Sequence, residues 1–258
     1  MKTKRTILSE KEAELIDRIV AKYGVIVDFG QIYDELSSSI SRQAAASLVS
    51  KLSRNGWLVR LKKGSYYIAG SESRGFAALP VYKIAQIFVE ESYVSFEAAL
   101  QFHGLFDQYL RSVISVSLKA YNTREFQGIR YEYIKTRGAL FYGFQDERVE
   151  GFVVRIASVE KALLDLLNYR RTAYSVDLVL EKLQTSADEI DLGSLHGYCA
   201  GQSLTVRRIA GLLLDKAGLD SGPVYEMVMG KPSASYMLRG GGTFNAKWRL
   251  YSPARLAT

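Results

Sequence analysis

From Ser9 onward the apolar positions recur at helical spacing. Leu15, Ile16, Ile19, Val20 and Tyr23 share one face until Gly24 stops the run, and Ser9 with Glu12 three residues on has the pattern of a capping box. A second, shorter run follows: Asp28 is placed to cap it, Phe29, Ile32, Tyr33 and Leu36 face inward, and the tract Ser37, Ser38, Ser39 breaks it. Ser41 is placed to cap a third helix that ends near Asn55 and Gly56, with Ala45, Leu48, Val49 and Leu52 as its buried stripe. The period then drops to two. Trp57, Val59 and Leu61 alternate with Leu58, Arg60 and Lys62, Lys63, Gly64 and Ser65 make a turn, and the spacing predicts a β-hairpin.

Three short helices followed directly by a hairpin form the pattern of a winged helix-turn-helix over residues 9–68. The outer face of the third helix carries Gln43, Ala46, Ser47, Ser50, Lys51 and Arg54 and no acid. Its small side chains would let the backbone sit deep in a major groove about 12 Å wide. Arg42 and Gln43 lie at the leading end, where arginine pairs with guanine and glutamine with adenine. Lys51 and Arg54 are expected at phosphates, and Arg60, Lys62 and Lys63 would bring the wing onto the neighbouring backbone. The same fold also mediates protein contacts, so double-stranded DNA is an expectation drawn from side chains rather than from fold. Trp57, Tyr66 and Tyr67 are expected in core or hairpin packing.

From about Phe76 the pattern becomes mixed. Ile84, Ile87 and Phe88 mark a helical stretch, and SYVSFEAALQFHGL a helix ending at Gly104. VISVSL, GIRYEYI, LFYGF and FVVRIA then read as strands of one sheet. ASVEKALLDLLNYRR predicts a helix packed on that sheet, with Ala162, Leu163, Leu166 and Leu167 inward and Arg170 and Arg171 at its negative end. Within it Lys161 and Asp165 are expected to pair on the surface. The fold class is therefore α+β, with a winged helix in residues 1–70 and a larger mixed domain in residues 71–258, joined by a polar, glycine-containing linker near Ala69 to Gly75.

The runs RNGWLVRLKKGSYYI, YVSFEAALQFHGL, FQGIRYEYIKT, LFYGF and VEKALLDLL, in that order, resemble the abortive-infection E antitoxin family, often written AbiEi. The resemblance covers residues 9–170. It implies a DNA-binding winged helix that represses its own operon, joined to an α+β antitoxin domain that neutralises a nucleotidyltransferase toxin encoded alongside. An autorepressor of this kind is expected to bind an operator with an inverted repeat as two copies. Past Leu195 the likeness thins to the helix RRIAGLLLDKAG and a final FNAKWRLY strand.

Charge sharpens this picture only modestly. The chain carries a net charge of +7, with 12 basic against 7 acidic residues in residues 1–70 and 8 against 3 in residues 196–258. The C-terminal group Arg207, Arg208, Lys216, Lys231, Arg239, Lys247, Arg249 and Arg255 reads either as a second nucleic-acid surface or as a solvated basic face. Catalysis finds little support. His103, at a helix end, and His196, in a loop, have no ligand-spaced partner, and the run Gly240, Gly241, Gly242 lacks the ending of a phosphate loop. Glu160 and Asp165 lie about 140° apart round a helix and cannot share a site. No enzyme activity, cofactor or metal is therefore expected. With one cysteine, Cys199, no internal disulfide forms, and without an apolar export segment or a run of ~18 apolar residues the expected address is cytoplasmic and off the membrane. Two other readings remain open: a transcription regulator whose second domain binds a ligand or oligomerises, and a nuclease or transferase targeted by the winged helix.

Overall fold

Both capping patterns near the start of the chain close in the computed structural model, which describes residues 7–256. Helix α1 (Glu10–Tyr23) begins with Ser9 and Glu12 bonded reciprocally, and ends where Gly24 takes φ +81°. After β1 (Ile26–Asp28), Asp28 and Gln31 form the same reciprocal cap on α2 (Phe29–Asp34). Ser41 accepts from the Ala44 backbone to start α3 (Arg42–Arg54). Strands β2 (Leu58–Lys62) and β3 (Ser65–Ile68) form an antiparallel hairpin, and β1 pairs with β3, giving the order β1-β3-β2. Leu15, Ile19, Val27, Ile32, Val49, Leu52, Leu58 and Ile68 form the core of these elements.

Strand β2 departs from simple alternation. The register slips between Arg60 and Lys62, so Leu58 and Leu61 are both buried while Trp57 and Val59 are only half-buried. A bulge of this kind places two residues opposite one and lets positions three apart turn inward.

The chain divides into two units, one up to Phe88 and one from Val89 onward. The division expected at Gly70 therefore moves, because the supposed linker folds back on the first unit. The Gly75 backbone donates to the Gly56 carbonyl at 2.8 Å, and the Arg74 guanidinium lies 4.0 Å from the centre of a Trp57 ring. Gly56, at φ +80°, leaves no room for a Cβ, which would stand 2.9 Å from the Gly75 nitrogen. Helix α4 (Val81–Phe88) then packs against β2 and buries Ile84, Ala85 and Phe88.

The second unit is built on a six-stranded mixed sheet. Its strands are β4 (Ser92–Val94), β5 (Ser112–Ser117), β6 (Arg124–Phe126), β7 (Ile129–Lys135), β8 (Phe144–Val149) and β9 (Phe152–Ala157), in the order β6-β7-β5-β4-β9-β8. Helix α5 (Phe96–Phe102) follows β4, so SYV, expected in a helix, is a strand. LFYGF is not a strand either: a 3-10 turn ends at Leu140 and β8 begins only at Phe144. Helices α6 (Val159–Tyr169), α7 (Ala173–Thr185), α8 (Leu192–Gly201) and α9 (Leu204–Ala217) pack together, and a short α10 (Gly222–Glu226) follows. A three-stranded sheet completes the unit, with β10 (Ser235–Tyr236), β12 (Leu250–Ser252) and β11 (Thr243–Asn245) in that order. FNAKWRLY is thus two antiparallel strands with a turn. Inside that turn Trp248 is fully buried, donates to Asp215 at 2.7 Å and packs against Gly211, where a Cβ would meet its ring at 2.0 Å.

The fold is mixed α and β, in line with the α+β expectation. Among the described residues, no helix is long and apolar enough to cross a membrane.

Candidate nucleic-acid interface

Helix α3 buries Ala45, Val49 and Leu52 and turns the opposite side to solvent. Gln43, Ser47, Ser50 and Arg54 follow one another at i, i+4, i+7 and i+11, so they form one exposed stripe. Arg42, Ala46 and Lys51 flank it and are also exposed. No acid belongs to this face of the helix. Ser47 Oγ donates to the Gln43 carbonyl, and Arg54 Nε reaches back to the Ser50 carbonyl at 3.4 Å, which lays its guanidinium along the helix. Gln43 has no side-chain hydrogen bond among the described residues, which leaves its amide free for an outside partner.

Arg42 is held from below. The Phe29 and Tyr33 rings stack with centroids 6.4 Å apart, and the guanidinium carbon lies 5.3 Å and 5.5 Å from the two ring centres. Cation–π contact of this kind restrains a long side chain while its N–H groups stay available. An α2 aromatic pair thus aims the leading residue of α3.

Lys51 is engaged. Its ammonium lies 2.8 Å from a Glu12 carboxylate oxygen, and this bond is the main reason the Glu12 carboxyl sits below its ordinary range; the Ser9 backbone adds to it. Lys62 is engaged too: its ammonium donates to the Ile87 carbonyl at 2.6 Å, at the C-terminal end of α4, where a cation also suits the helix dipole. Of the three hairpin cations, Arg60 and Lys63 are exposed and unpaired among the described residues, while Lys62 is half-buried. The hairpin turn is tied to the start of α2: Phe29 donates from its backbone to the Gly64 carbonyl at 2.9 Å, and Asp28 pairs with Ser65. The structure therefore brings Arg42, Gln43, Ser47, Ser50, Lys51 and Arg54 together on one helix, with Arg60, Lys62 and Lys63 on the hairpin of the same unit.

In the second unit, several expectations change. Lys161 and Asp165 form an ion pair that is fully buried rather than exposed. Asp165 also accepts from Tyr93 Oη at 3.1 Å and Ser95 Oγ at 2.7 Å, and the Lys161 ammonium lies 5.6 Å and 5.1 Å from the Tyr93 and Tyr142 ring centres. Burial pushes the Asp165 carboxyl above its usual range, against the pull of Lys161. The reason is that α6 is buried all round: Leu164 is covered as well as Leu163, Leu166 and Leu167, so no side of its first turns is left for solvent.

The C-terminal basic group is largely structural. Arg208 is buried and donates to the Ser233 carbonyl at 2.6 Å and the Lys231 carbonyl at 3.0 Å. Arg207 bonds the Cys199 and Ala200 carbonyls, Arg249 the Pro232 carbonyl, Lys247 pairs with Asp215, and Arg255 with Asp177. His196 lies within α8, not in a loop, and its ring nitrogen is 2.8 Å from the Asp220 carbonyl; His103 follows α5, 2.8 Å from the Ala157 carbonyl. Cys199 is buried, which pushes its thiol up to about 12.

No protein-family model and no curated protein matches the chain. Among solved structures, the RV2827C protein from Mycobacterium tuberculosis has a similar fold, with a TM-score of 0.67 and 15% sequence identity over 96% of this chain and 92% of that one.

Proposed function

We propose that the first unit is a winged helix-turn-helix that binds double-stranded DNA with α3 in the major groove, and that the chain is an antitoxin repressing its own operon through that unit. The observation that carries DNA binding is the exposed stripe Gln43, Ser47, Ser50 and Arg54, free of acid and headed by an Arg42 braced on Phe29 and Tyr33. Small hydroxyl side chains at the middle of a helix let it approach base edges, and an arginine and an amide at its leading end match guanine and adenine. Lys51 and Lys62 take structural roles in this reading, and Arg54, Arg60 and Lys63 are left for phosphate.

The antitoxin half rests on the sequence resemblance in residues 9–170, and its partner is a nucleotidyltransferase toxin encoded next to this chain. Two copies on an inverted repeat are expected. The test has two arms. The purified chain is titrated against duplex from upstream of its own coding sequence and against random duplex, and it is co-expressed with the neighbouring gene. Preference for the upstream duplex and rescue of growth support the reading. Equal affinity for both duplexes contradicts the repressor, and failure of rescue contradicts the antitoxin.

A further inference from the structure

The three-stranded sheet of the second unit has one buried and one open face. Ser235, Leu250 and Ser252 point to the buried side. The residues next to them alternate outward, and in place of polar side chains they are Tyr236, Tyr251 and Phe244. The register sets these three directly across from one another on neighbouring strands. Tyr236 and Tyr251 stack with ring centroids 4.7 Å apart and planes 10° off parallel, and Phe244 lies 5.1 Å from Tyr251 on its other side, tilted by 49°. The outer two stay open to solvent: Tyr236 is 54% and Phe244 43% exposed. Leaving large aromatic surface wet is unfavourable, and a row of it on one sheet face marks a contact surface.

A basic cleft follows directly in the chain. Arg239 lies three residues past Tyr236, so their Cα atoms are within about 11 Å of each other. Arg239 lines an open cleft of about 420 Å³ with Leu238, Asn168, Tyr169 and Arg171. The lining contains no acid. Among the described residues neither Arg171 nor Arg239 has a hydrogen bond or ion pair, whereas Arg207, Arg208, Arg249 and Arg255 of the same unit all do. Tyr169 Oη is fixed 2.5 Å from Thr136 Oγ1, which holds a polar group at the cleft wall.

We infer that this face binds single-stranded nucleic acid: bases continue the aromatic stack from Tyr236 and Phe244, and the backbone phosphate enters the cleft between Arg171 and Arg239. Aromatic rings aligned across a sheet offer every base a π-face, and free guanidinium groups suit phosphate because they bind it through two N–H groups at once. A protein partner would call for apolar pockets to receive its side chains. A row of rings with two exposed faces, beside unpaired arginines, fits bases and phosphates instead. The inference is independent of the duplex site on α3.

The test is fluorescence anisotropy of the full chain with labelled oligouridine and with oligothymidine, at low and at physiological salt. Binding should weaken as salt rises. Tyr236→Ala and Phe244→Ala should each weaken it about tenfold, within the range of one lost stacking contact. Arg171→Gln and Arg239→Gln should weaken it and flatten its salt dependence, and Tyr236→Phe, which keeps the ring, should bind as the parent does. Comparable affinity for both oligonucleotides supports stacking alone, and preference for oligouridine supports stacking with an added contact to the 2′-hydroxyl. No binding at low salt overturns the inference. So does binding that is indifferent to Tyr236→Ala and Phe244→Ala but lost in Arg42→Ala, because the strand is then held by the first unit.

Discussion

Lys51 and Glu12 join the exposed face of α3 to the first turn of α1 through a 2.8 Å ion pair, and the same carboxylate closes the α1 capping box on Ser9. Glu12 thus holds together two helices through a residue 39 positions further along the chain. Glu12→Ala, which removes the side chain that closes the cap, should cost about 1 kcal/mol, the size of a lost cap contact, since most of Lys51 is solvent-exposed and the ion pair adds little. Because the folded protein holds this carboxyl below its ordinary range, its stabilisation is present above the usual carboxylate pKa of about 4.3 and fades as pH falls through the lower folded value. Urea unfolding at neutral and acid pH checks this: the gap between parent and Glu12→Ala should narrow in acid. The variant also releases Lys51, so its affinity for random duplex should rise.

The hairpin lysines separate by what they touch. Lys62→Ala removes the bond to the Ile87 carbonyl and should lower stability by about 1 kcal/mol while leaving the salt dependence of duplex binding unchanged. Lys63→Ala and Arg60→Ala should do the reverse, each lowering the salt slope by ~0.9. Affinity measured across a salt series, beside a thermal melt of each variant, distinguishes the two kinds of residue.

Division of the chain offers a further check. A fragment ending at Phe88 keeps α4 on β2, the Lys62 bond and the Arg74 contact with Trp57. It should unfold cooperatively and bind duplex. A fragment ending at Gly70 loses all three and leaves the surface of β2 that α4 covers open to water, so it should be less stable or aggregate. Calorimetry on both fragments decides the matter; equal melting would show that residues 71–88 add nothing to the first unit.

In α6, Lys161→Met leaves the Asp165 carboxylate buried without its cation. The expected loss is about 3–5 kcal/mol, and Lys161→Met combined with Asp165→Leu should recover much of it, since a buried pair replaced by apolar side chains is often tolerated. Chemical denaturation of the single and double variants gives the comparison.

What could be read from the sequence was local. The caps at Ser9, Asp28 and Ser41 were legible because a side chain and an amide three residues on determine them, and the stripe of α3 followed from helical spacing. Partners far along the chain were not. Nothing near Lys51 announces Glu12, and nothing near Lys62 announces Ile87. Burial of Lys161 and Asp165 had a signal in Leu164, which makes α6 apolar on the side where a surface pair would sit. The alignment of Tyr236, Phe244 and Tyr251 depends on the register of three strands of two or three residues each, too short for any periodicity to reveal. LFYGF has strand-like composition, but only its Phe144 belongs to a strand, and Phe141, in the loop before it, packs with Phe144 on Tyr93.

The central claim is that α3 reads base edges. It is tested most directly by competition binding of Arg42→Ala and Gln43→Ala to the duplex upstream of the gene against random duplex. Each base-edge contact is worth ~1–3 kcal/mol, so each variant should lose about fivefold or more of its discrimination while its affinity for random duplex falls much less. Equal loss on both duplexes, or none on either, would contradict the account.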